Sequence, residues 1–154
     1  MRAIRRSKAH EGLVRQLAES AHPAAGRPIF PTMRELMCFA AVLGFELENK
    51  KPLDSTTMEI DGRTFENHHQ SIDLIYLVAL AHARDAEVLR DEEEEHCLNI
   101  FEEYAEGGFR AMTAWLAEHP TDDLGDDALL RALTRRGYLG EERGIDNAIH
   151  DVSF

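Results

Sequence analysis

Residues 32–45 read TMRELMCFAAVLGF and carry the strongest start signal in the chain. Thr32 and Glu35 have the spacing of a capping box, in which the threonine hydroxyl accepts from the third helical amide and the glutamate reaches back. Met33, Leu36, Met37, Phe39, Ala40 and Leu43 then recur at i, i+3, i+4 and i+7, the apolar stripe of a helix that packs on one side. Gly44 falls where a left-handed C-cap belongs, with Phe45 placed for the hydrophobic contact that follows such a cap. The segment predicts a helix from Thr32 to about Leu43.

Working outward, residues 22–31 hold three prolines and a glycine and read as a loop. Before it, a helical segment at about 8–20 places Leu13, Val14 and Leu17 on one stripe, with Arg6, Lys8 and Arg15 off it. Residues 1–7, MRAIRRS, form a short extended or irregular arm. Downstream, 46–70 reads as irregular, except that Asp61-Gly62 between Met58/Ile60 and Thr64/Phe65 predicts a small β-hairpin near 57–66. Residues 71–84 are apolar almost all round and are expected to form the central buried helix.

The longest helical pattern is 91–118, with Leu98, Phe101, Ala105, Met112, Trp115 and Leu116 on one face. Gly107-Gly108 interrupts it. A glycine costs about 1 kcal/mol against alanine inside a helix, so the pair implies a kink, a break or close backbone contact. A last amphipathic helix fits 126–136. The expected fold is mainly α: a single compact domain of about five helices over 1–136 behind a basic N-terminal arm. Residues 137–154, with Gly137, Gly140 and Gly144, read as a mobile C-terminal tail or one ordered only by a partner.

The chain has 154 residues and 44% hydrophobic content, enough for one domain with a real core. The longest apolar run, LIYLVALA at 74–81, is eight residues, against the roughly 20 that span a bilayer. No apolar stretch follows the basic N-terminus, so it does not read as a secretory signal. Cys38 and Cys97 lie far apart among apolar neighbours, which favours two free buried thiols in a reducing cytoplasm over a disulfide.

Charge is placed unevenly. Residues 1–53 hold nine Lys/Arg against five Glu, a net of +4, whereas 54–154 hold eight Arg against 24 acidic residues, a net of −16. Such asymmetry concerns partners more than fold. Arg2, Arg5, Arg6 and Lys8 are the candidate phosphate contacts, with Arg15 and Arg34 extending the patch where the first two helices lie side by side; the alternative is a solvated terminus that aids solubility. Arm, helix, loop and helix is also the order of a ribbon-helix-helix dimer, although this loop is long for that module. Glu92, Glu93, Glu94 and Glu95 are the candidate contacts for a basic protein partner. Their alternative role is to favour the positive end of a helix dipole.

Catalytic and metal chemistry find little purchase. His68-His69 and His96-Cys97 are adjacent pairs, whereas ligands on a helix pair at i, i+3 or i+4, and no CxxC or HExxH occurs. No GxSxG, P-loop or GxGxxG is found, and Cys38 on an apolar helical face suits an inert thiol. Phe101, Tyr104, Phe109 and Trp115 follow helical spacing in acidic surroundings, which suits core packing better than base stacking. No catalytic residue, metal or cofactor is expected.

Three stretches, IRRSKAHEGLVRQLAES, IFPTMRELMCFAAVLGFE and IFEEYAEGGF, resemble a family of small accessory proteins found with bacterial Dnd systems, named DNA phosphorothioation-associated (Dnd system-associated) protein 4. The likeness covers roughly residues 2–118 and rests on Ile4-Arg5-Arg6 with Lys8 and His10-Glu11, on Ala40-Ala41-x-Leu43-Gly44-Phe45, and on Ile100 to Ala105 with Gly107-Gly108. The resemblance implies a place beside the machinery that exchanges a non-bridging phosphate oxygen for sulfur, or beside the restriction partners that use that mark against phage. It implies no catalytic residue.

The expectation is a non-catalytic cytoplasmic accessory protein, with its arm on DNA phosphates, weakly, and its acidic body on a protein of the Dnd machinery. A homodimer stays open. The alternative is an acidic interaction module (scaffold, inhibitor or DNA mimic) that does not touch DNA.

Overall fold

The computed structural model describes residues 1–139, so the tail expected to be mobile lies, from 140 onward, outside the described residues. The chain runs β1 (Ile4–Ser7), α1 (Glu11–Val14, continued by a π-turn over Arg15–Glu19), α2 (Met33–Glu46), β2 (Thr57–Ile60), α3 (Gly62–Glu66), α4 (His69–Ala83), α5 (Glu94–Ala117) and α6 (Asp126–Arg135). It is mainly helical, with one two-stranded antiparallel sheet.

α2 begins as its sequence predicts. Thr32 Oγ1 accepts from the Glu35 amide at 3.2 Å. The Glu35 carboxylate closes the box on the threonine hydroxyl, at 2.9 Å, rather than on the chain's own N–H. The helix does not stop at Leu43. It passes through Gly44 to Glu46, and the left-handed residue after it is Glu48, at φ 52°. The Asn49 amide then bonds Gly44 O and the Glu48 amide bonds Phe45 O, the reversal of a Schellman cap with a non-glycine at its left-handed position.

Gly44 serves packing instead. A Cβ on it would collide with the carbonyl oxygen of Tyr104, and one on Gly108 with that of Ala40. Gly107 meets the Asn49 carbonyl in the same way. Of the three outcomes open to Gly107-Gly108, close backbone contact is the one found, and α5 runs unbroken across the pair.

α5 is the central helix, in place of the 71–84 segment expected there. Its buried residues include Leu98, Ile100, Phe101, Ala105, Phe109, Met112 and Trp115, and both apolar clusters of the core are built on it. α4 buries only Ser71, Ile75, Val78 and Ala79 and leaves Leu77 60% exposed. A uniformly apolar sequence marks burial only where neighbours exist on every side, and α4 has them on one.

The hairpin expected near 57–66 does not form. β2 pairs instead with β1, in the register Ile4↔Ile60 to Ser7↔Thr57. Asp61 does not turn a hairpin: its Oδ1 accepts from the Arg63 amide at 2.9 Å and caps α3. The N-terminal arm is thus a strand within the domain, and its pairing is with this chain's own β2. Cys38 is half-buried and Cys97 buried, and both are free. Among the described residues no helix is long and apolar enough to cross a membrane.

Candidate functional site

Pairing β1 with β2 lays the arm across α5, and there the structure places Arg2 and Arg5 against the first of two buried acids. Glu102 has a side chain 1% exposed. Arg2 bonds both of its oxygens, and Arg5 bonds Glu102 Oε2 at 3.0 Å. The Arg5 backbone N–H adds a bond to Glu102 Oε1 at 2.7 Å. Asn99, one turn earlier on α5, accepts from both guanidiniums, at 2.8 Å and 3.0 Å. The carboxylate beside it raises the pKa of Arg5 further, chiefly through that hydrogen bond.

Arg6 points to the other face of β1 and is 2% exposed. Its Nη2 donates to Glu11 Oε2 at 2.6 Å, and the bond holds the Glu11 carboxyl below its usual range. Arg15 reaches the same carboxylate at 3.5 Å from an exposed position. Arg34 lies apart, bonded to Ser71 Oγ. Lys8 is exposed. The six basic candidates therefore do not form one free patch: Arg2 and Arg5 converge on Glu102, buried Arg6 and exposed Arg15 share Glu11, and Lys8 and Arg34 stand separately.

The second buried acid is Glu106, one turn beyond Glu102. Its Oε2 lies 2.9 Å from His10 Nε2 and its Oε1 accepts from Arg110 Nε at 2.9 Å. The His10 ring stacks on Phe109 at 5.1 Å. Burial works against the Glu106 carboxylate, but hydrogen bonds from His10, Ser7 and Arg110 outweigh it and lower its pKa. Such a group contributes stability that is complete above its unfolded pKa of about 4.3 and lost as pH falls through the lower folded value. The urea midpoint is therefore expected to fall between about pH 5 and pH 3. Glu106→Gln should start lower at neutral pH and show a flatter decline; parallel pH profiles for the two proteins would refute the assignment.

Glu102, Glu106, Asn99 and His10 were not among the candidate site residues, although His10 and Glu102 fall within the motifs that carry the family resemblance. One signal pointed to them. Glu102 and Glu106 sit one turn apart, directly beside Phe101 and Ala105 on the apolar stripe, and an acid beside a core stripe needs a buried partner.

The acidic candidates lie at the start of α5 and in the short 3₁₀ turn before it. Glu95 comes within 3.9 Å of Arg2 and stays exposed. Tyr76 donates to Glu94 at 3.5 Å. Asp91, Glu92 and Glu93 enter no ion pair among the described residues. No group of three His, Cys, Asp or Glu residues among the described residues is placed to hold a metal ion.

Against known proteins, a family model described as DNA sulphur modification system-associated protein 4 matches residues 3–144. No curated protein and no solved structure matches the chain.

Proposed function

Because the chain belongs to the DNA sulphur modification system-associated protein 4 family, we propose that it is a non-catalytic accessory protein of a Dnd system that acts by docking its acidic helical body onto a basic protein of the modification or restriction machinery. The observation that carries this reading is the engagement of Arg2 and Arg5 by buried Glu102. With those guanidiniums paired to Glu102, the charge left for a partner is mostly negative, and exposed Glu92 and half-buried Glu93 lie in the turn that leads into the same helix. Unpaired acids on a rim steer association and set specificity, an effect that salt weakens.

The test reverses that charge. Glu92→Lys with Glu93→Lys is expected to weaken association with the purified proteins of the same system at least about tenfold, mainly through a slower on-rate at low salt. Unchanged affinity in the reversed protein overturns the docking reading.

A second reading keeps the arm on DNA, and the exposure of Lys8 and Arg15 favours it. Four phosphate contacts, through Arg2, Arg5, Arg6 and Lys8, would give a slope of log K against log salt of about −3.6; two contacts, through Lys8 and Arg15, would give about −1.8. Anisotropy of a labelled duplex, with and without a phosphorothioate, separates these values. A slope near zero removes the arm as a DNA contact.

A further inference from the structure

Among the basic candidates, Arg5 and Arg34 each stand at a cavity, but Arg5 is already paired with the Glu102 carboxylate. A space of about 600 Å³ opens between α2 and the start of α4, walled by Arg34, Cys38, Asn67, His68, His69 and Gln70. The Arg34 side chain is only 12% exposed. Its Nη1 is fixed by the hydroxyl of Ser71, itself 3% exposed. A guanidinium carries five N–H donors in a rigid fork, so the bond to Ser71 orients the group and leaves donors for a ligand.

The rest of the wall matches. The side chains of Asn67, His68, His69 and Gln70 are exposed at the rim, and each offers N–H donors. None of the four enters a side-chain hydrogen bond or ion pair among the described residues. The one acid at the wall is Glu35, 3.9 Å from Arg34 Nη2. Its carboxylate already accepts the Thr32 hydroxyl and faces solvent, 42% exposed. A largely buried guanidinium fork ringed by exposed imidazole and carboxamide donors is the chemistry that holds a tetrahedral oxyanion. On another side the wall is Leu74 and the Cys38 thiol, which burial keeps protonated by raising its pKa. That side is apolar and soft, and it tolerates sulfur in place of an oxygen.

We propose that this cavity binds a phosphate-class anion, the phosphate or thiophosphate of a nucleotide or of a nucleic-acid backbone, with Arg34 as its anchoring cation. The site is separate from the acidic docking surface and does not depend on it.

Calorimetric titration of the full chain with inorganic phosphate and with inorganic thiophosphate tests the site. Saturable binding is expected, weakened at least about tenfold by Arg34→Gln, since charge-assisted bidentate bonds are among the strong ones. Arg34→Lys should fall between the two, and Arg131→Gln, an exposed arginine on α6, should bind as the wild type does. No saturable binding to the wild type, or unaltered binding in Arg34→Gln, overturns the proposal. Should Arg34→Gln fail to fold, the rim variant His68→Ala/His69→Ala is expected to weaken binding several-fold, and unchanged affinity there overturns it equally. Competition by a 5′-mononucleotide or by a short DNA duplex then tells which source of the phosphate the cavity prefers.

Discussion

Glu102→Leu is expected to lower the melting temperature by about 6–12 °C. Glu102 is buried beneath Arg2 and Arg5, and it also takes the Arg5 backbone N–H. Removing it strands two cations and a strand amide, with Asn99 left as the side-chain acceptor that the two guanidiniums share. Breaking a buried pair from one side costs about 3–5 kcal/mol. Arg2 is 27% and Arg5 40% exposed, so water recovers part of that loss and the low end, about 3 kcal/mol, applies. For a chain of this size each kcal/mol moves the melting temperature by about 2–4 °C.

The same variant separates the two uses of the arm. A structural clamp predicts the lower melting temperature. An arm held in reserve for phosphate predicts an unchanged one, with tighter duplex binding as Arg2 and Arg5 are set free. Calorimetry and duplex anisotropy on Glu102→Leu give both readouts. A melting temperature within about 2 °C of the wild type would return the arginines to the role of DNA contacts.

Gly108→Ala is expected to destabilise by about 3 kcal/mol or more, although the change would ordinarily favour a helix. On propensity alone, alanine gains about 1 kcal/mol over glycine in a helix interior. Here the added methyl points at the carbonyl oxygen of Ala40. Backbone cannot rotate aside as a side chain can, so α2 and α5 must separate along their whole contact. Overpacking costs about 1–3 kcal/mol where side chains give way, and more where they cannot. Gly44→Ala meets the Tyr104 carbonyl from the opposite helix and should behave alike. Gly12, with open space around its Cβ position, is the control: Gly12→Ala should be neutral or stabilising. Equal melting temperatures for Gly108→Ala and Gly12→Ala would show that the helices are not in backbone contact.

These two variants mark where a linear reading stopped. Periodicity and capping were legible in the chain, because both are set by residues within one or two turns: the Thr32–Glu35 box, the α2 stripe, the α5 stripe with its glycine pair, the 126–136 helix. Gly44 misled because two unrelated needs call for a residue without a Cβ. A left-handed cap needs the conformational freedom; a helix crossing needs the space. Asp61-Gly62 misled in the same manner, since aspartate before glycine serves a hairpin turn and an N-cap equally well.

The candidate site shows the same division. Charge asymmetry is a property of composition, and a sum over residues establishes it without a fold. Whether an arginine in MRAIRRS is free depends on what lies opposite, and what lies opposite Arg2 and Arg5 is about a hundred residues away, on α5. By itself the sequence determined that the chain is helical, that it resembles a family named for its association with DNA sulphur modification, and that its first third and the remainder carry opposite charge. Only the tertiary structure decided that β1 pairs with β2, that α5 and not α4 is the axis, and that Glu102 and Glu11 take up the arm's charge. The reason is range: helices, caps and net charge arise from neighbours in the chain, whereas strand pairing, burial and charge compensation arise from groups that only folding brings together.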